Sequence, residues 1–258
     1  MYAEERRRQI ASLAAVSGRV NVSDLAERFD VTAETIRRDL AILDDEGSVT
    51  RIHGGAVAAQ NFLTTEYSLE ARARSAQPAK RAIAKAALKF LPEQGGTVFI
   101  DSGTSTSALA EALGRVSISD DYYVTTNSLP ISLALASAGL RNVQLLGGTV
   151  RAITQAVVGD TALRTLALLR ADVAFIGTNA LTVDHGLSTA DSQEAAVKRA
   201  MIMNARKVVV LCDSSKLGCD YLVSFSTIDD IDTLITDANA PSIFVDQLRS
   251  HGIEVILV

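Results

Sequence analysis

Between Val20 and Ala56 the chain reads VNVSDLAERFDVTAETIRRDLAILDDEGSVTRIHGGA, and this stretch restricts the fold more than any other. Its first half reads as a short helix with Leu25, Ala26 and Phe29 facing inward and Ser23 placed to cap it. Asp30-Val31 makes a tight turn. Thr32 then caps a second helix by accepting from its exposed N–H groups. In that helix Ile36, Leu40 and Leu43 recur at i, i+4 and i+7, the period of one buried stripe. Gly47 ends the helix, and an alternation at Val49 and Arg51 leads to a turn at His53-Gly54-Gly55. That is the pattern of a β-wing beside two helices. Residues 3–17, with Ile10 and Leu13 inward, supply a leading helix.

The side of the second helix opposite its apolar stripe carries Glu34 and Arg38, flanked by Thr35 and Arg37. A polar, guanidinium-bearing face at a helix start suits a DNA major groove. The candidate DNA-contacting residues are Thr32, Glu34, Thr35, Arg37 and Arg38, with Arg51 and His53 on the wing. Net charge tests this reading. Residues 1–57 hold eight Arg, no Lys and ten Asp or Glu, and the whole chain has net charge −5, where a DNA-binding domain is usually basic. The distribution answers in part: Arg6-Arg7-Arg8 leads the first helix, while Asp44, Asp45 and Glu46 collect at the far end of the second. Specific affinity then rests on few phosphate contacts plus base readout. The alternative is a small helical domain that binds protein.

Residues 58–77 read as a linker, mixing small, polar and charged residues without buried periodicity. From Pro78 onward, helix-like segments alternate with short apolar runs: 98–100, 123–124, 143–146, 173–176, 208–211 and 255–257. Continuous β-branched runs between helices indicate parallel strands buried on both faces, so residues 78–258 are expected to form an α/β domain with a mostly parallel sheet. A hydrophobic content of 48% is enough for its core. The N-terminus lacks an apolar h-region and no segment approaches ~18 uninterrupted apolar residues, so the expected location is the cytoplasm. Cys212 and Cys219 match no common zinc spacing and read as buried or incidental thiols.

Parallel sheets bind ligands beyond the carboxyl ends of their strands. Polar clusters fall there: Asp101-Ser102-Gly103-Thr104-Ser105-Thr106, then Thr126-Asn127, Gly147-Gly148 with Arg151 close by, and Asp213 with Lys216. Hydroxyls and a glycine at a helix start offer donors to a phosphate. Thr104 and Ser105 are therefore expected on phosphate oxygens, with Lys216 or Arg151 supplying charge. Asp101 and Asn127 are expected on hydroxyls of the same ligand, since a carboxylate would repel a phosphate dianion. Each piece has a local alternative. Ser102-Gly103-Thr104 could be a plain cap, Gly147-Gly148 a turn, Asp191 and Glu194 a capping box, and Glu194 with Lys198 an exposed i,i+4 pair.

The N-terminal segment resembles the DNA-binding domain of the DeoR family of bacterial transcriptional repressors, through Thr35-Ile36-Arg37-Arg38-Asp39-Leu40, Glu46-Gly47 and Arg51-Ile52-His53-Gly54-Gly55-Ala56. The remainder resembles the effector domain of that family through Asp101-Ser102-Gly103-Thr104, Thr126-Asn127, Gly147-Gly148 with Arg151, Gly177, Glu194 through Lys198, and Asp213-Ser214-Ser215-Lys216. The resemblance implies a sugar-phosphate sensor with a fold like ribose-5-phosphate isomerase and the CoA-transferases. Two departures bear on the ligand: Ser105 where many members carry threonine, and Asn179 where a small residue is usual. The opening MYAEERRRQIASL is similar to actinobacterial repressors of fructose-utilisation genes, which implies fructose 1-phosphate.

The expectation is therefore a winged helix-turn-helix over 1–57, a linker over 58–77 and an α/β sensor over 78–258, acting as a homodimer or homotetramer on operator DNA. Release by the sugar, rather than tightening, is implied by the resemblance alone. No cofactor and no metal are expected. The rival class is a sugar-phosphate isomerase or deaminase-like enzyme with an accessory domain, since Asp101, Asp213, Glu194, Lys198 and Lys216 carry groups able to move protons. Against it, all three histidines lie outside these clusters, a DNA-reading domain has no use in such an enzyme, and no GxSxG elbow, HExxH site or P-loop occurs. A non-enzyme is expected.

Overall fold

The computed structural model describes residues 2–17, 19–59, 66–93, 95–116 and 122–258. The N-terminal part runs α1 (Ala3–Ser17), β1 (Arg19–Asn21), α2 (Val22–Phe29), α3 (Ala33–Asp45), β2 (Val49–Ile52) and β3 (Gly55–Ala58). Ile36, Leu40 and Leu43 all enter one core with Ile10, Ala14, Leu25, Val49 and Ala56. The turn between α2 and α3 places Asp30 in the left-handed region at φ 50°, and the Thr32 hydroxyl accepts from the Thr35 N–H at 3.2 Å. Ser23 does not cap α2. The helix begins one residue earlier, so Ser23 lies inside its first turn and donates to Asp24 instead.

The wing has a third strand that the sequence pattern did not reveal. β1 pairs antiparallel with β3, in the order β1-β3-β2. A Cβ on Gly55 would lie 1.9 Å from the Val20 carbonyl oxygen, so this approach of two strands requires glycine. The wing turn itself is His53-Gly54, and Gly55 already belongs to β3.

Part of the expected linker is structured. Residues 60–65 lie outside the described residues, but α4 (Leu69–Arg74) follows, capped by Ser68, and α5 (Gln77–Ala87) begins with Pro78 in its first turn. The six residues of α4 include one large aliphatic, too few to set a period.

The second part continues as β4 (Thr97–Ile100), α6 (Thr104–Arg115), β5 (Tyr123–Thr126), α7 (Leu129–Ser137), β6 (Asn142–Leu145), β7 (Thr149–Arg151), β8 (Ala156–Val158), α8 (Asp160–Ala167), β9 (Ala171–Gly177), β10 (Ala180–Thr182), β11 (Gly186–Thr189), α9 (Ser192–Met203), β12 (Ala205–Leu211), β13 (Val223–Ser226), β14 (Thr233–Thr236), α10 (Ser242–Ser250) and β15 (Glu254–Leu257). Seven strands form one parallel sheet in the order β15-β14-β12-β9-β4-β5-β6. Alternate residues serve its two faces: Val98, Ile100, Val173, Phe175, Val209 and Leu211 enter one core, and Phe99, Ala174, Ile176, Val208 and Val210 the other. Both faces are buried, as continuous apolar strands require. The six apolar runs are all strands. β14 was unread because Leu234 and Ile235 stand between threonines. A small antiparallel sheet, β10-β11-β13, and the β7–β8 hairpin flank α9 near the carboxyl ends of the main strands.

α1 docks on the second domain. The Ser12 hydroxyl donates to the Ser214 carbonyl at 3.1 Å and also to that of Leu217, beside the 3-10 turn Ser214–Lys216. No helix among the described residues is long and apolar enough to cross a membrane.

Candidate functional site

On α3 the polar candidates face solvent. Arg37 and Arg38 lie 3.4 and 3.6 Å from the carboxylate of Glu34, and the Arg38 side chain is 79% exposed. Exposed pairs of this kind hold weakly and give way to a stronger anion. Thr32 and Thr35 share a hydroxyl contact at 2.9 Å, and Arg51 and His53 stand exposed on the wing. The Arg51 N–H donates to Asp44, which ties the acidic end of α3 to β2.

Arg6-Arg7-Arg8 has a different place from the one its charge suggested. Arg6 is buried and bonds Asp39 at 2.5 Å, and Arg7 lies 3.7 Å from the same carboxylate. Asp39, buried on the inner side of α3, thus fastens the reading helix to α1. Arg8 binds Glu4, donates to the Ser75 hydroxyl at 3.0 Å and lies over the Tyr67 ring at 4.7 Å. Arg6 organises the inside of the molecule, and Arg7 and Arg8 are half-buried beside it. The sequence offered one signal for Asp39: it follows Ile36 by three residues, on the stripe side.

In the second domain the ends of β4, β5 and β9 interlock. Asp101 is fully buried, accepts from the Gly177 N–H at 3.0 Å and is ion-paired with Lys198. Lys198 also donates to the carbonyls of Gly177 at 2.9 Å and Ser102 at 3.4 Å. Burial pushes the Asp101 carboxyl up, against the pull of Lys198 and the Gly177 N–H. Asn127 accepts from the Ser102 N–H at 2.9 Å and donates to the Val157 carbonyl at 3.2 Å. Thr126 and Thr106 bond backbone groups at Ser128 and Gly103. Asp101 and Asn127, expected on sugar hydroxyls, therefore direct these bonds to the chain itself. Thr104 is half-buried, and the Ser105 hydroxyl is buried without a partner.

Glu194 and Lys198 share a turn of α9, yet neither forms the exposed pair their spacing allowed. Both are buried and face different partners. Asp191 caps α9, while Glu194 reaches Arg151 at 2.5 Å and the Thr154 hydroxyl. Arg151 also binds Glu66 at 2.8 Å and Asp191 at 3.4 Å. The Glu66 bond most of all, and Glu194 with it, raise its already high pKa against the effect of burial. Three carboxylates saturate Arg151. Glu66 was not anticipated, since an acid in a polar stretch shows no pattern. Gly147 and Gly148 are exposed and lead into β7, where a Cβ on Gly148 would meet the Val158 carbonyl oxygen at 2.4 Å.

Lys216 stands apart from the Asp101 pair. It lies 3.4 Å from Asp213, and with Ser215, Thr178 and Asn179 it lines a cavity of about 290 Å³ between the two domains. Thr104 and Ser105 do not line it. Burial by itself would raise Asp213, but the Lys216 and Lys80 ammoniums and the Ser215 hydroxyl hold it down at about 2. Lys80, buried, donates to the carbonyls of Arg72 at 2.5 Å and Ser75 at 2.7 Å. Burial drops its pKa to about 7, opposed by Asp213 and assisted by Lys216, Arg8 and Arg72.

A lysine depressed from 10.5 to about 7 sheds its proton on folding. Between those values the unfolded chain binds more protons than the folded one, so stability rises with pH there. The contribution is complete above the unfolded value and is lost as pH falls through the folded one. Lys80→Met abolishes this term. In urea titrations the stability of wild type minus that of the variant is expected to climb from pH 7 towards pH 10. A flat difference would show that Lys80 stays charged when buried.

Residues 6–62 match the DeoR-like helix-turn-helix domain, and residues 75–238 match the DeoR C terminal sensor domain. The chain is 36% identical over 256 residues to the HTH-type transcriptional regulator GlpR of Haloferax volcanii, covering 99% of this chain and 98% of that one. It is 31% identical over 257 residues to the glycerol-3-phosphate regulon repressor of Escherichia coli, covering 100% of both. Among solved structures, ribose 5-phosphate isomerase A from Methanocaldococcus jannaschii aligns with a TM-score of 0.42 and 18% identity, over 55% of each chain.

Proposed function

We propose, since the chain belongs to the DeoR family of helix-turn-helix regulators, that it is a cytoplasmic, non-catalytic repressor of sugar-metabolism genes, released from its operator by a phosphorylated sugar. The observation that carries this reading is the exposed Glu34-Arg37-Arg38 face of α3, held on a core whose first helix is itself docked on the sensor domain. A homodimer or larger assembly would set two such helices about 34 Å apart, in successive major grooves. The ligand then favours a state in which they no longer match. A tenfold change in occupancy needs a differential affinity of only ~1.4 kcal/mol.

Within the sensor, Lys216 is the favoured phosphate cation, because Arg151 is saturated by three carboxylates and Lys216 lines an open cavity. Fructose 1-phosphate is the first effector proposed. Glycerol 3-phosphate is the comparison, because a relative is named as the glycerol-3-phosphate regulon repressor. Operator sites selected from a random duplex library are expected to be pseudo-palindromic, and fructose 1-phosphate is expected to release them while fructose does not. Failure to enrich any sequence would remove the DNA-binding reading. Turnover of a sugar phosphate above its spontaneous rate would favour the isomerase class instead.

A further inference from the structure

The cavity between the domains is not a feature of the sensor alone. Its walls are α1 with Arg7 and Arg8, the end of α3 with Glu46, the segment around α4 with Tyr67 and Arg72, and the sensor residues that include Lys216. Four cations line it against two carboxylates, Glu4 and Glu46, and Glu4 is already bonded to Arg8. Arg72 is unusual among them. Its Nε is buried without a hydrogen-bond partner, a costly state for a guanidinium donor. The volume, about 290 Å³, lies at the lower end of small-ligand pockets. Thr178 and Asn179, which follow β9, and Ser215, in the turn after β12, also line it; the Thr178 hydroxyl is bonded to the Ala180 and Ser188 carbonyls and the Ser215 hydroxyl to Asp213.

We propose that this cavity is the effector pocket and that the DNA-binding domain completes it: a small phosphate monoester is held between Lys216 of the sensor, Arg72 of α4 and Arg8 of α1. The proposal deepens the reading of the protein as a phosphosugar-released repressor and rests on it. A phosphate dianion offers acceptors to the Arg72 guanidinium and competes with Glu4 for Arg8 and with Asp213 for Lys216. The polyol end meets the Asn179 side chain.

The arrangement gives a direct route for the signal. The Arg8 helix also carries Ser12, which fastens α1 to the turn holding Lys216, and Arg7, which touches the Asp39 anchor of the reading helix. A ligand bridging both domains therefore binds best at one angle between them, and the operator selects its own angle. Linkage then makes the effect mutual: operator DNA lowers ligand affinity by the same factor as the ligand lowers operator affinity.

The test uses the full chain, with fructose 1-phosphate as probe and inorganic phosphate alone as the control for the anion. Arg8→Gln and Lys216→Met are each expected to weaken fructose 1-phosphate at least tenfold in calorimetric titration. In hydrogen exchange on the wild type, the probe is expected to slow amides in 7–11 and in 214–217 together. Normal probe affinity in a folded Arg8→Gln protein, with Lys216→Met impaired, would overturn the shared pocket and leave the repressor reading intact. So would protection confined to the sensor, or a Thr104→Ala/Ser105→Ala protein that loses the probe while Arg8→Gln keeps it. If neither fructose 1-phosphate, glycerol 3-phosphate nor inorganic phosphate binds the wild type or alters its operator affinity, the phosphosugar reading itself fails, and this pocket with it.

Discussion

Replacing Lys198 with Met is expected to lower folding stability by about 3–5 kcal/mol, the usual cost of removing one partner from a buried ion pair. Asp101 is 0% exposed and Lys198 2% exposed, so no water reaches the carboxylate once the ammonium is gone. The Gly177 N–H remains as a donor, but one neutral bond does not offset a buried charge. The carboxyl of Asp101, already pushed up by burial, would then fold as the acid. Its folded pKa would lie above the unfolded value, so the single variant is expected to regain stability as pH falls towards that unfolded value. Asp101→Asn/Lys198→Met removes both charges and is expected to recover much of the loss. Urea unfolding of the two single variants and the double one gives the coupling energy. A loss below about 1 kcal/mol for Lys198→Met would mean that the pair is solvated and available to a ligand.

The second large effect concerns operator binding. Arg38→Ala is expected to cost ~1–3 kcal/mol of operator affinity, a factor of roughly 5 to 150, if Arg38 reads a base edge. Its side chain is 79% exposed and meets Glu34 only at 3.6 Å, so the melting temperature should stay near that of wild type. The salt dependence separates the two possible roles. Loss of a base contact lowers affinity for the selected site alone, whereas loss of a phosphate contact weakens all sequences and flattens the salt slope by about one. Arg6→Ala is the contrasting substitution. It leaves the buried Asp39 with only the more distant Arg7 and should act through folding rather than through readout. Operator affinity unchanged in Arg38→Ala would remove α3 from its assigned place in the groove.

The sequence by itself determined the helix-turn-helix with its Thr32 cap, the six apolar runs as strands, and the parallel sheet. Those features follow from signals that lie within a few residues of each other: a 3.6-residue period, a capping hydroxyl, an unbroken β-branched run. β1, α4 and β14 escaped because three to six residues with few large aliphatics set no period. The polar candidates at 101–106, 126–127 and 194–198 were found by type and place, but their partners were not. Lys198 could have been an exposed mate of Glu194 by spacing, and only the packing of α9 against the strand ends turns it onto Asp101, 97 residues away in sequence. Arg151 with Glu66, Arg6 with Asp39, and the cavity shared by Arg8 and Lys216 are likewise contacts between distant segments. A charge leaves no periodic trace of which opposite charge it will meet, because that choice is made by burial, where dehydration forces each ionised group onto whatever partner the fold brings near.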